Sequence, residues 1–193
     1  IQGYRFGVQF SSFCMPGDFV SHVRMMKTDY EDTGLAQLFG MPFVVLRKPV
    51  PFDTTTLNFN WQVWDTKAFS LYSRSTEKID KKGADMAIAA VCRFLSRMNV
   101  LNYNVYGGYE STVLLEEELV SLRSTASGLY IPHVKSFDSV ERGQILADII
   151  DPLTGVTVAQ TEAPEDGIVF FAKDSPLVME NETLFKIVNK LHK

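Results

Sequence analysis

Histidine, cysteine and surplus positive charge are scarce in this 193-residue sequence, which has 3 His, 2 Cys and a net charge of −4. Each scarcity excludes something. Cys14 and Cys92 are too few for a disulfide framework and lack a Cys-x-x-Cys spacing, so they read as small buried hydrophobes. Without a basic surplus there is no electrostatic footprint for nucleic acid. No apolar run approaches the roughly twenty residues that a membrane span needs, and no basic start, apolar middle and small-residue cleavage site marks a signal peptide. A cytoplasmic protein with neither nucleic acid nor membrane as partner is expected. Repeats, low-complexity tracts, a Gly-rich phosphate loop and a Ser, His and Asp set spaced as a triad are also missing. What remains, 46% apolar and 22% charged residues, is ordinary for a globular chain with one good core or two modest ones.

The clearest pattern runs from Ser124 to Val188. Short apolar segments, Gly128 to Val134, Gln144 to Ile150, Val156 to Thr161, Ile168 to Ala172 and Thr183 to Val188, alternate with turn chemistry. The breaks are Glu141-Arg-Gly, Asp151-Pro-Leu-Thr-Gly155, Pro164-Glu-Asp-Gly167 and Asp174-Ser-Pro176. β-Branched and aromatic runs of about five to seven residues, each closed by Gly, Pro or Asp, predict an antiparallel β domain.

The order Ser124-Thr-Ala-Ser-Gly128, Ser139-Val-Glu-Arg-Gly-Gln-Ile-Leu146, Asp151-Pro-Leu-Thr-Gly155 and Glu162-Ala-Pro-Glu-Asp-Gly-Ile-Val169 carries a resemblance. It is similar to the C-terminal β domain of the succinylglutamate desuccinylase/aspartoacylase family, zinc carboxypeptidase-like hydrolases. The Gly-Gln-Ile-Leu and Ala-Pro-Glu-Asp-Gly-Ile-Val elements also resemble the halves of a biotinyl/lipoyl barrel-sandwich domain. No Met-Lys or Asp-Lys hairpin offers a lysine for attachment, so a carrier is the weaker reading.

Earlier in the chain, Phe6, Val8 and Phe10 alternate with polar residues, as in a strand that ends before the Pro16-Gly17 turn. Asp29 to Gly40 predicts a short helix, capped by Asp29 or Thr28 and stopped by Gly40 and Pro42. Phe43-Val-Val-Leu46 is a strand buried on both faces, hence part of a sheet covered by helices. From Lys48 to Lys67 no period is sustained, and a lid, binding loop or Ω-loop is expected. Ala68 to Ser73 predicts a strand and Gly83 to Met98 a helix, with Arg93 and Arg97 near its negative end. The connector Asn102 to Tyr109 marks the domain boundary, giving domains 1–108 and 109–193. Glu116-Glu-Glu118 reads as a solvated loop or edge.

The expected fold class is therefore α/β, the second half of a zinc-carboxypeptidase-like α/β/α sheet domain, followed by an all-β barrel-sandwich-like domain. Gly17 to Met25, Leu38 to Val45, Ala68 to Tyr72 and the helix with Phe94-Leu95 extend the resemblance over most of the chain. It implies a zinc-dependent amidohydrolase, a deacylase of N-acyl amino acids or similar small amides. In that family a His-x-x-Glu pair and a further His hold zinc while a Glu acts as base. The His-x-x-Glu pair is absent, and the chain begins in an apolar run without an initiator Met, so it is expected to be the C-terminal portion of a longer product. An N-terminal fragment or companion chain would complete it, and assembly as a homo-oligomer stays open.

The family's Asp-Leu-His strand end aligns with Gln9-Phe10-Ser11, and its catalytic Glu with Tyr72. The candidates are accordingly His22 as a displaced metal ligand, Glu77 as a displaced base, and Tyr72 beside it. Arg24 could fork a substrate carboxylate, and Asn58, Asn60 and Trp61 could wall the substrate. His133 and His192 have no expected role. The alternative is a degenerate, non-enzymatic subunit or binding module on the same scaffold.

Overall fold

Phe6, Val8 and Phe10 alternate with Gly7, Gln9 and Ser11, and such a chain lays its apolar side chains on one face when extended. In the structure, a computed structural model describing residues 3–13, 15–75, 77–104 and 107–189, this stretch is β1, Phe6–Ser11. Ile1, Cys14 and His192 lie outside the described residues. There follow β2 (Asp18–Phe19), β3 (His22–Met26), α1 (Thr33–Gln37), β4 (Phe43–Arg47) and a 3-10 helix at Pro51–Thr55. Next come α2 (Leu57–Val63), β5 (Lys67–Tyr72), α3 (Lys81–Arg97) and β6 (Thr112–Leu115). A 3-10 turn at Glu116–Glu118 leads to β7 (Val120–Arg123), β8 (Gly128–Pro132), β9 (Ser139–Val140) and β10 (Ile145–Ile150). The chain continues through β11 (Thr157–Glu162), β12 (Gly167–Ala172), β13 (Leu177–Val178) and β14 (Thr183–Asn189). No helix among the described residues is long and apolar enough to cross a membrane.

Two compact units result. The first comprises Ile1–Phe13, Ser21–Arg74 and Lys78–Glu117, and the second Cys14–Val20, Ser75–Glu77 and Glu118–Lys193. The first holds a five-stranded sheet in the order β1-β5-β3-β4-β6. β1 and β5 run parallel, as do β3, β4 and β6, and the two sets meet antiparallel where β5 pairs with β3. The carboxyl ends of β1 and β5 therefore lie beside the amino ends of β3 and β4. This sheet passes the boundary expected at residue 108, because Val113, Leu114 and Leu115 pair with Val44, Val45 and Leu46.

One face of the sheet is apolar. Val23, Met25, Val44, Leu46, Phe69 and Leu71 pack there against Ala36, Phe39, Ala90 and Phe94. Phe39 and Phe94 stack at 4.4 Å, and Phe6 meets Phe94 edge-on at 5.5 Å. Each such ring contributes about 1.5–3 kcal/mol by leaving water. α1 is shorter than expected and is capped by Asp32, whose carboxylate accepts the Leu35 N–H at 2.9 Å. Thr28 instead accepts the Tyr30 N–H in the turn before it. Beyond α1 the chain reverses at Gly40, with φ of +63°. Arg93 and Arg97, expected to serve their own helix dipole, donate instead to the carbonyls that follow α1: Arg93 to Phe39 and Gly40, Arg97 to Leu38.

The second unit is built of antiparallel strands. One sheet has the order β11-β10-β8-β13, the other β2-β12-β14-β7 with β9 paired to β12. Leu146, Ile149, Val169, Leu184, Phe185 and Ile187 are at the centre of its core. β2, from the N-terminal part of the chain, joins this unit because Phe19 pairs with Phe171 on β12, their rings 4.4 Å apart.

Two polar groups in this unit carry predictions. The Tyr130 hydroxyl is buried without a hydrogen-bond partner among the described residues, and burial raises its pKa. Tyr130→Phe removes a desolvated hydroxyl and should leave stability unchanged or raise it by up to about 1 kcal/mol in urea unfolding. Glu182 is held below the ordinary carboxyl range by hydrogen bonds from the Lys173 ammonium and the Met179 N–H. A depressed folded-state pKa adds stability above the unfolded value, and that stability is lost as pH falls through the folded value. Melting temperatures should therefore fall below about pH 4.5 and fall less steeply in Glu182→Gln. The difference should be under about 1 kcal/mol at this partly exposed pair.

Candidate functional site

The other face of the first unit's sheet is polar. Matched register places Gln9, Ser70 and Arg24 in one row, and Ser11, Tyr72 and His22 in the next. Alternation along each strand puts both rows on the face opposite Val23, Phe69 and Leu71. Ser70 and His22 are buried, and so is Arg24.

α2 contacts this sheet through β5, β3 and β1. The segment from Lys48 to Lys67, expected as a loop, is a 3-10 helix followed by α2. Asp53 accepts the Val50 N–H, and Thr56 caps α2 by accepting the Phe59 N–H. α2 is inverted: Asn58 and Gln62, four residues apart, are buried, whereas Leu57, Val63 and Trp64 are exposed. The polar sheet face accounts for this inversion, since a buried amide needs hydrogen-bonding groups opposite it. Gln62 accepts the Met26 N–H and donates to the Met26 carbonyl, both at 3.0 Å, as a neighbouring strand would. Asn58 and Gln9 both donate to the Ser70 hydroxyl, at 3.0 and 2.7 Å.

Of the proposed substrate walls, Asn58 lies within this layer, its carbonyl oxygen buried without a partner among the described residues. Trp61 lies over Gly7, where an added Cβ would come within 2.4 Å of the indole, so the strand needs glycine there. Asn60 donates to the Thr54 and Thr56 carbonyls at 2.8 Å and holds its own segment together.

His22, Tyr72 and Arg24 are brought together. The His22 and Tyr72 rings stack at 5.3 Å and 6°, and Phe13 lies 4.5 Å from Tyr72 and 5.6 Å from His22. The Arg24 guanidinium faces Tyr72 and Phe13 at 5.3 and 5.8 Å, and its Nη1 donates to the Tyr72 hydroxyl at 3.4 Å. Both Glu116 oxygens accept from Arg24 Nη2 at 2.7 Å. Arg47 Nε lies 3.6 Å from Glu116 and 3.4 Å from the buried Asp53, so charges alternate along Arg24, Glu116, Arg47 and Asp53. Glu116, expected to be solvated, is thus the counter-ion of a buried arginine. Glu117 does reach the surface, where it pairs with Lys48 at 2.8 Å. Glu77 is exposed, in the segment Ser75–Glu77 of the second unit, and is not a member of this cluster.

The zinc that the resemblance implies does not fit the described residues of this chain. No three of His, Cys, Asp and Glu among them come together as a metal site. In the row holding His22, the neighbours are a serine hydroxyl and a phenol rather than the imidazole or carboxylate that zinc selects. What the arrangement does offer is a buried fixed cation walled by aromatic rings, suited to a carboxylate.

No protein-family model matches the sequence, and no curated protein matches it. Solved structures do. The ectoine utilization protein of Ruegeria pomeroyi, in its apo form, matches 96% of this chain with a TM-score of 0.77 at 14% identity, over 60% of its own length. A succinylglutamate desuccinylase/aspartoacylase from Rhodobacter sphaeroides matches 98% with a TM-score of 0.74 at 16% identity, over 59% of its length. A protein of that description from Shewanella frigidimarina matches 95% with a TM-score of 0.73 at 18% identity, over 53% of its length. The chain thus spans somewhat over half of the structures it matches, and over that span it has the mixed α/β fold of succinylglutamate desuccinylase/aspartoacylase proteins.

Proposed function

We propose that these 193 residues are the substrate-recognition part of a deacylase that acts on N-acyl amino acids or similar small amides. The observation that carries this reading is Arg24, a buried guanidinium lined by Phe13 and Tyr72 at the carboxyl end of β5. An N-acyl amino acid presents one carboxylate beside one amide, and a guanidinium is the side chain best shaped to hold the former. Tyr72, within reach of Arg24 Nη1, would narrow the space left for the ligand. The zinc and its His-x-x-Glu ligands belong, on this reading, to protein outside these residues, as an N-terminal segment or a companion chain. His22 would orient Tyr72 through their stacked rings rather than bind metal.

A second reading is favoured by Ser11 and Tyr72 standing where the resemblance calls for His and Glu: a binding module on the same scaffold, without hydrolysis. One preparation separates the two. The chain is expressed together with the sequence that precedes Ile1 in its own gene, and zinc content and release of free amino acid from N-acetyl amino acids are measured. Deacylase function predicts one zinc per chain and amide hydrolysis by that longer protein, and neither from the 193 residues alone. Absence of both from the longer protein would leave the binding module.

A further inference from the structure

The Arg24–Glu116 contact is an unusual ion pair for a purely structural one. A carboxylate fixed on arginine for stability commonly takes two guanidinium nitrogens in parallel. Here both Glu116 oxygens converge on Nη2 at 2.7 Å, Nη1 has only the 3.4 Å contact to Tyr72, and Nε is buried without a partner among the described residues. Donors of a guanidinium whose side chain is only 8% exposed are therefore left under-used. Glu116 itself is 31% exposed, at the turn that follows β6, and Arg47 Nε lies 3.6 Å away. It can leave Arg24 for Arg47 and water without becoming an unpaired buried charge, whereas Arg24 cannot leave at all.

We propose that Glu116 is a specificity-determining residue, a resident carboxylate that occupies the Arg24 site until the carboxylate of a small ligand displaces it. The proposal rests on the reading of Arg24 as the substrate-carboxylate site. A ligand must then bring a negative charge of its own to compete, because a neutral amide or ester in place of Glu116 would leave the guanidinium uncompensated. Occupancy by Glu116 also lowers the apparent affinity for any carboxylate by the fraction of time the site is closed. Small acyl amino acids and dicarboxylates fit this requirement.

The test is titration calorimetry of the 193-residue chain and of Glu116→Gln with succinate, and with succinamide as the neutral control. Glu116→Gln keeps an oxygen acceptor beside Arg24 but removes the competing charge. It is expected to bind succinate at least about tenfold more tightly than the unmodified chain. Succinamide should gain nothing, and the gain should vanish in the Arg24→Met/Glu116→Gln double variant. Equal succinate affinity with and without Glu116, no binding by either protein, or a gain that survives loss of Arg24 overturns the proposal. A measurement on the unmodified chain does not depend on any variant folding. With 13C-labelled glutamate, the Glu116 carboxyl resonance should move as bound succinate saturates, and a resonance that stays in place at saturation overturns the displacement. Hydrolysis is not read in either experiment, so a failed deacylase assay leaves this result standing, and a null here leaves the amide chemistry untouched.

Discussion

Glu116→Ala is expected to destabilise the first unit by about 3–5 kcal/mol, and Arg24→Met by roughly half as much. The asymmetry follows from where each charge is left. Without Glu116, the Arg24 guanidinium stays behind with its side chain 8% exposed, among Phe13, Tyr72 and the Ser70 row. It has no second carboxylate within ion-pair distance among the described residues. A buried charge that loses its only counter-ion retains nearly its full desolvation cost. Without Arg24, Glu116 still has Arg47 at 3.6 Å and substantial exposure to water. Both tryptophans, Trp61 and Trp64, lie in the first unit, so their fluorescence in urea reports on this unit. Glu116→Gln, which retains an acceptor, should fall between the unmodified chain and Glu116→Ala.

Arg93→Ala should cost about 2–4 kcal/mol, read by the same urea transitions. Arg93 is buried and donates to the Phe39 and Gly40 carbonyls, which lie past the end of α1 and have no helical partner of their own. Truncation would strand the Phe39 carbonyl, leave Gly40 with only the Tyr109 N–H at 2.9 Å, and empty the space that the side chain fills between them and Gly108. Burial and the neighbouring Arg97 both lower the pKa of Arg93, a sign that the charge is held there against its preference for water. Arg93→Lys supplies a single ammonium in place of the guanidinium and should recover only part of the loss. Arg97→Ala, at an exposed site with its 2.9 Å contact to the Leu38 carbonyl, should cost less than about 1 kcal/mol.

The strands of the second unit were legible because alternation and turn chemistry act locally. Val156 to Thr161 and Ile168 to Ala172 each carry enough β-branched or aromatic residues, and enough punctuation, to fix an element without its partners. β4 and α3 were legible for the same reason. α2 was not, because hydrophobic periodicity assumes an apolar interior, and this helix buries Asn58 and Gln62 against a polar sheet face. Its Leu57, Val63 and Trp64 are exposed, which scrambles the expected stripe. Of the candidate residues, His22 and Tyr72 could be placed at strand ends from sequence, and Arg24 lies two residues along β3 from His22 on the same face. Glu116 could not, since it lies in a run of three glutamates that reads as solvated, and only its register on leaving β6 brings it to Arg24. A local cue did exist in retrospect: Gln9 and Ser11, Ser70 and Tyr72, His22 and Arg24 are polar pairs at alternate positions in otherwise apolar strands.

Arg24 is proposed to recognise the carboxylate of an acyl amino acid. Titration calorimetry of the chain with N-acetylalanine and with its methyl ester reads this recognition. Saturable binding of the acid, none of the ester, and loss of acid binding in a folded Arg24→Met are predicted. Acid and ester bound alike, or acid bound as tightly by Arg24→Met as by the unmodified chain, would contradict it.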